Sequence, residues 1–200
     1  WGCEVHIAQS YAQAKAHLSR HRHEYLVAIC DLNLPDTPNT EIINLVKKAK
    51  VSMIALSGSF GEKIREEMVD KGVVDYIIKD SINAYQYLVN LVGRLYKNQS
   101  IKILIAEDSA SARDMLKHIL DMQNYQTLTA NNGVQALEIL EQNPDIRLLV
   151  ADYSMPEMDG FTLTLSVRET YPTDQLAIIG VSAMNQSDLG AQFIKHGAND

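Results

Sequence analysis

Residues 147–160 read RLLVADYSMPEMDG, so that the apolar run Leu148–Ala151 ends on a carboxylate, Asp152. A charge beside a buried run costs free energy unless something pairs with it. Other polar residues follow apolar runs in the same way. Glu107 and Asp108 follow IKILIA, and Ser182 follows AIIGV; in the first half, Asp31 follows LVAIC, Ser57 follows MIAL and Lys79 follows VDYII. Merged, these types make an acidic pair, a central Asp, a hydroxyl and a lysine. Carboxylates packed together repel, and one is forced to take a proton. A hard divalent cation resolves this, and Mg²⁺ with oxygen ligands and retained waters suits it best. The cation, lysine and hydroxyl would then neutralise charge on the oxygens of a transferring phosphoryl group. The central Asp is the remaining nucleophile, accepting that group as a mixed anhydride.

Such residues meet only if the chain places them at one rim of a sheet. Short apolar runs alternate with amphipathic segments throughout, the pattern of a parallel sheet wrapped by helices. In the first half strands are expected near Glu4–Ala8, Tyr25–Cys30, Val51–Leu56 and Val74–Ile78. Helices are expected near Tyr11–Arg20, Thr40–Lys48, Glu62–Lys71 and Ile82–Lys97. Ser10 and Gln13 read as a capping box. In the second half strands are expected near Lys102–Ala106, Gln126–Ala130, Leu148–Ala151 and Leu176–Val181, with helices near Ala110–Met122, Val134–Gln142, Phe161–Glu169 and Ser187–His196. In an open parallel sheet, strand C-termini at the switch point share one crevice, where ligands bind.

The halves repeat one another. VHIAQSYAQAKAHL (Val5–Leu18) aligns with TLTANNGVQALEIL (Thr127–Leu140), and LVAICDLNLPD (Leu26–Asp36) with LLVADYSMPEMD (Leu148–Asp159), which makes Asp31 and Asp152 equivalent. The expected division is 1–98 and 99–200, joined at Lys97–Ser100. The first copy lacks an opening strand and helix, and the second its last strand and helix. A copy missing its central strand should not fold, because backbone groups of the flanking strands would go unpaired. The chain is therefore expected to be a piece of a longer one, or to receive those segments from elsewhere.

Bulk properties narrow the function. A net charge of −7 and a pI near 5.3 argue against a nucleic-acid-binding surface. No apolar run approaches the ~18 residues of a membrane span. Two cysteines are too few for a disulfide framework, so a reduced, cytoplasmic setting is expected.

These motifs resemble the receiver domains of two-component response regulators. The second copy matches the acidic pair (Glu107, Asp108), the phosphoacceptor (Asp152), the Met-Pro and Asp-Gly of MPEMDG, and the Ser-Ala at Ser182 and Ala183. The spacings agree with the family pattern, 44 positions from Asp108 to Asp152 and 30 from Asp152 to Ser182. The first copy matches at Asp31, Leu34, Pro35, Ser57 and Lys79, but only 26 positions separate Asp31 from Ser57. The resemblance implies a doubly wound, flavodoxin-like α/β fold for each copy, with strand order 2-1-3-4-5. It implies Mg²⁺ held by Asp108, Asp152 and the backbone carbonyl of Ser154, with Glu107 acting partly through water. A sensor histidine kinase or phosphotransfer protein would supply the phosphoryl group to Asp152, and to Asp31 in the first copy. Ser182 and Ser57 would then move toward the phosphoryl oxygens, and Tyr76 would follow Ser57 as a switch. An output domain is implied as the partner, with a diguanylate cyclase as first expectation; no separate enzymatic activity is expected of these residues.

Asp152 could end a strand and start a turn, Lys79 could be a solvated strand-end lysine, and the first copy could be an unphosphorylated docking module. A haloacid-dehalogenase-like phosphatase would need an Asp where Ser154 or Asn33 stands. A flavodoxin-type cofactor site would not place Glu107 and Asp108 at its phosphate loop. His17, His21 and His23 read as a solvated patch rather than a zinc site, and His118 as an exposed helical histidine. Tyr85, Tyr87, Leu88, Leu91, Val92 and Leu95 read as a packing stripe first and a homodimer face second.

Overall fold

The computed structural model describes residues 2–21, 24–37, 41–58, 71–79, 82–182 and 187–200. The chain forms two compact units, Trp1–Lys97 with Met122–Asn124, and Asn98–Asp121 with Tyr125–Asp200. Both are α/β with parallel strands, as the apolar–amphipathic alternation predicts.

The second unit is the more regular. Its strands β4 (Lys102–Ala106), β5 (Gln126–Ala130), β6 (Ile146–Asp152) and β7 (Ala177–Val181) lie in the order β5-β4-β6-β7, all parallel. This is the 2-1-3-4 part of the expected order. Strand β4 is central because it is apolar on both faces: Ile103, Leu104, Ile105 and Ala106 are each at most 1% accessible. The helices are α4 (Ala110–Met122), α5 (Gly133–Gln142), α6 (Gly160–Thr170) and α7 (Ser187–Lys195). Leu104, Ala136, Leu140, Leu149, Leu163 and Phe193 pack into one core against the sheet.

Asp159 and Gly160 set how closely α6 approaches β6. Asp159 caps the helix by accepting the Thr162 N–H at 2.7 Å. A Cβ on Gly160 would lie 2.3 Å from the carbonyl oxygen of Asp152. Gly160→Ala is therefore expected to cost about 1–3 kcal/mol by forcing this backbone apart. Urea unfolding of the two proteins measures it, and equal midpoints and slopes would contradict the packing.

In the first unit β1 (Val27–Asp31), β2 (Ser52–Ser57) and β3 (Asp75–Ile78) pair in parallel in that order. The described helices are α1 (Tyr11–Arg20), α2 (Glu41–Ala49) and α3 (Ala84–Asn98). Side chains of β2 alternate between two cores: Met53 and Ala55 join Ile42, Ile43 and Val46, whereas Ile54 joins Leu91 and Leu95. Three neighbouring strands pair, the 3-4-5 part of the expected order, and both faces of β2 are covered. The strand expected over Glu4–Ala8 is corrected: the segment carries no ladder, and Val5 and Ile7 are each 75% accessible. A strand needs a neighbour to pair with, and among the described residues none lies beside this segment, whose expected neighbour is the opening strand. The helix expected over Glu62–Lys71 lies outside the described residues, except Lys71.

The internal repeat persists at the level of single hydrogen bonds. Ser10 caps α1 by accepting the Gln13 N–H, while the Gln13 side chain accepts the Gln9 N–H. Asn132, Gln135 and Asn131 repeat this arrangement at α5. Two side-chain readings need adjustment, and the exposed position expected for His118 is found. Leu91 and Leu95 are buried as a packing stripe, but Tyr85 and Tyr87 of that stripe are exposed. The His6 ring lies 5.5 Å from that of His17 and 5.4 Å from that of His21, so these two histidines are partly covered rather than solvated.

Candidate functional site

The second unit brings its three acidic candidates together. Strand β4 ends at Ala106, whose register partners are Ala130 and Ala151, so Glu107 and Asp152 emerge from adjacent strands at one level. Carboxylate oxygens of Glu107, Asp108 and Asp152 all lie within 4.8 Å of one another. Glu107 is buried, Asp152 half-buried and Asp108 exposed, so the cluster opens to solvent at one side. The turn after β4 is held by the Glu107 N–H donating to the Ala130 carbonyl at 3.1 Å, and by the Ser109 N–H donating to Glu107 Oε1 at 3.0 Å. The Ser154 N–H donates to Asp152 Oδ2 at 3.0 Å.

The electrostatics follow from this crowding. Burial, and then the charges of Asp152 and Asp108, push the Glu107 carboxyl above its usual range against the pull of the Ser109 N–H. Burial, with help from Asp108, likewise raises Asp152 despite N–H donors from Ser154 and Tyr153. Two acids made harder to ionise, with a third carboxylate beside them, are short of positive charge. An oxygen-only donor set that is partly buried and open on one side fits a hard divalent cation.

The remaining candidates fall into place around the two rims. Asp152 pairs in register with Val181, and Ser182 follows it at the end of β7, exposed; Ala183 lies outside the described residues. In the first unit Asp31, Ser57 and Lys79 stand at the ends of β1, β2 and β3. Lys79 makes an ion pair and hydrogen bond to Asp31 Oδ2, and the Asn33 N–H donates to Asp31 Oδ1 at 3.0 Å. This matches the Ser154 donation to Asp152. The Lys79 N–H reaches the Ser57 carbonyl at 2.9 Å, and Ser57 is buried. Tyr76 lies opposite Ala55 in the ladder and packs against the core that contains Met53 and Ala55.

The two central aspartates are thus compensated differently. Burial would raise Asp31, but the Lys79 hydrogen bond and charge and the Asn33 N–H outweigh it, and its carboxyl sits below the usual range. A lowered acid stabilises the fold above its unfolded value near 4, and that contribution is lost as the pH falls through the folded value. Lys79→Met is expected to move Asp31 upward and to remove about 0.5–1 kcal/mol at neutral pH, a figure reduced for the pair's partial exposure. NMR titration of the Asp31 carboxyl, with urea unfolding alongside, measures both. An unmoved titration would show that Lys79 does not hold Asp31.

The sequence reading missed two contributors. Asp36 accepts the N–H groups of Tyr11 and Ala12 at 2.7 and 3.1 Å, tying the loop after Asp31 to the start of α1. Its alignment with Glu157, which accepts from Asn132 at 3.0 Å, was a signal in the repeat. Arg113 donates to the backbone of the acidic pair, a role for which the sequence carries no signal.

A model of the response regulator receiver domain family matches residues 103–200. Chemotaxis protein CheY1 of Helicobacter pylori (strain ATCC 700392 / 26695) is 32% identical over 101 residues, covering 50% of this chain and 82% of that protein. Two-component response regulator ORR3 of Oryza sativa subsp. indica is 29% identical over 98 residues, covering 49% and 75%. A solved structure of a two-component system response regulator/GGDEF domain protein is 38% identical with a TM-score of 0.83, covering 100% of this chain and 80% of that one. A second structure of the same description is 39% identical, again with a TM-score of 0.83.

Proposed function

Because this chain belongs to the response-regulator receiver family, we propose that its second unit accepts a phosphoryl group on Asp152 with Mg²⁺ bound at Glu107, Asp108 and Asp152. The carrying observation is the convergence of those three carboxylates within 4.8 Å at the ends of β4 and β6. Asp108 and Asp152 would hold the cation directly, with the Ser154 carbonyl as a further ligand and Glu107 partly through water. Bound there, Mg²⁺ supplies positive charge to the phosphoryl oxygens and to the carboxylates themselves.

The chain's own residues do the rest. Asp152 presents one oxygen as nucleophile; Oδ2 is fixed by the Ser154 N–H, which sets the carboxylate plane. Ser182, exposed at the end of β7, is the hydroxyl that would move to the phosphoryl oxygen. Asp31 is the equivalent acceptor of the first unit, with Ser57, Lys79 and Tyr76 as its switch residues. A second reading has support for that unit alone: Asp31 is already engaged by Lys79, which suits a docking or regulatory module.

A sensor histidine kinase or phosphotransfer protein is the donor, and the setting is cytoplasmic. No described helix is long and apolar enough to cross a membrane. The response regulator/GGDEF neighbours support an output domain of that kind, a diguanylate cyclase, as the target of the signal. The test is incubation with acetyl phosphate or beryllofluoride, with and without Mg²⁺, followed by tyrosine fluorescence and peptide mapping. A metal-dependent change with modification mapped to Asp152 is expected, and no response to either reagent would sink the proposal.

A further inference from the structure

Arg113 occupies the first turn of α4, where a cation opposes the helix dipole. Its contacts explain the placement. One guanidinium nitrogen, Nη1, donates to the carbonyl oxygen of Glu107 at 2.7 Å and to that of Asp108 at 3.1 Å. These are the peptide oxygens of the two residues whose carboxylates face Asp152. Arg113 is itself half-buried, and its amide donates to the Ser109 carbonyl at 2.9 Å as the helix begins.

We propose that Arg113 is a positioning residue of the cation site, clamping the backbone of Glu107 and Asp108 so that their like-charged carboxylates stay together. The inference rests on the cation-site reading above. Repulsion among three carboxylates pushes the turn after β4 to open. The Glu107 and Ser109 N–H groups oppose this as uncharged donors that do not touch Asp108, and a hydrogen bond between the Glu107 and Asp108 carboxyls ties the side chains but leaves the backbone unrestrained. The Arg113 clamp has a charged donor and spans both residues, which makes it the stronger restraint. It also bonds carbonyls rather than carboxylates, so the clamp leaves the carboxylate oxygens to the cation. Anchoring by groups behind the ligands sets metal affinity in this way elsewhere.

The experiment is a calorimetric Mg²⁺ titration of the wild-type chain, Arg113→Ala and Arg113→Lys, paired with thermal melts and with acetyl phosphate modification across a Mg²⁺ series. Arg113→Ala is expected to weaken Mg²⁺ binding about tenfold or more. It should shift the half-maximal Mg²⁺ for phosphorylation by the same factor, with the rate at saturating Mg²⁺ close to wild type. Arg113→Lys, which keeps the charge but loses the planar fork, should recover part of the affinity. Equal Mg²⁺ affinity in all three proteins overturns the proposal, as does a lowered melting temperature with unchanged affinity. Should Arg113→Ala not fold, Arg113→Lys carries the comparison, and an affinity equal to wild type again overturns it. A wild-type chain that binds Mg²⁺ no more tightly than these variants removes only the clamp; a wild-type chain that binds none removes the site as well.

Discussion

Asp152→Asn is expected to abolish Mg²⁺-dependent modification of the second unit, lowering its rate at least ~10³-fold, because the amide offers no anionic oxygen to attack phosphorus. Mapping the modified peptide, or using an Asp31→Asn background, keeps the first unit from masking the loss. The same variant should make the metal-free protein more stable. Glu107 and Asp152 both have raised folded values, so the folded state holds protons more tightly than the unfolded chain. Stability from this source is full below the unfolded values near 4 and falls as the pH rises through the folded ones. Removing one of the charges relieves that loss at neutral pH. After allowance for solvent screening the gain is on the order of 1 kcal/mol. For a unit of about 100 residues that is roughly 4 °C or more in melting temperature. A variant both inactive and more stable is the expected signature of a site built against stability. Loss of activity with loss of stability would point to a structural carboxylate instead.

Asp108→Asn should act on the cation rather than on the nucleophile. Taking one anionic charge from the ligand set weakens its hold on a divalent cation, and with solvent screening at this exposed carboxylate the expected loss is about a hundredfold in Mg²⁺ affinity. Phosphorylation should recover in part at high Mg²⁺, which separates this variant from Asp152→Asn. Affinity in the wild type should also fall as the pH is lowered, since protons compete for Glu107 and Asp152. Calorimetric titrations at several pH values measure both effects. An affinity indifferent to Asp108 and to pH would exclude the acidic cluster as the ligand set.

Much of this site was legible because its residues end apolar runs. In a parallel α/β unit, apolar runs are strands and their C-terminal ends share a rim, so Glu107, Asp108 and Asp152 could be placed together before any coordinates. The spans Lys102–Ala106, Gln126–Ala130 and Ala110–Met122 were recovered to the residue for a related reason: ILIA is an unbroken apolar run that stops at Glu107, Ser109 and Asn124 bracket the helix, and Asn124 and Asn131 bracket the second strand. What was not legible depends on partners distant in sequence. Lys79 could be a solvated lysine or the partner of Asp31, and only the fold of β3 beside β2 decides for the ion pair. Arg113 escaped because a lone arginine on a helix is ordinarily a surface charge, and its role lies in backbone carbonyls that no side-chain pattern reveals. The repeat was the strongest signal of all. Asn33 donating to Asp31 and Ser154 donating to Asp152 are the same bond written in two different residues.

The most direct test is a crystal of this chain grown with Mn²⁺ in place of Mg²⁺ and read by anomalous scattering. A divalent cation touching Asp108 and Asp152 at the ends of β4 and β6 should give a strong peak there, lost in Asp108→Asn crystals grown alike. A cluster with no peak at saturating Mn²⁺, its three carboxylates still side by side, would contradict the claim that a metal compensates Asp152.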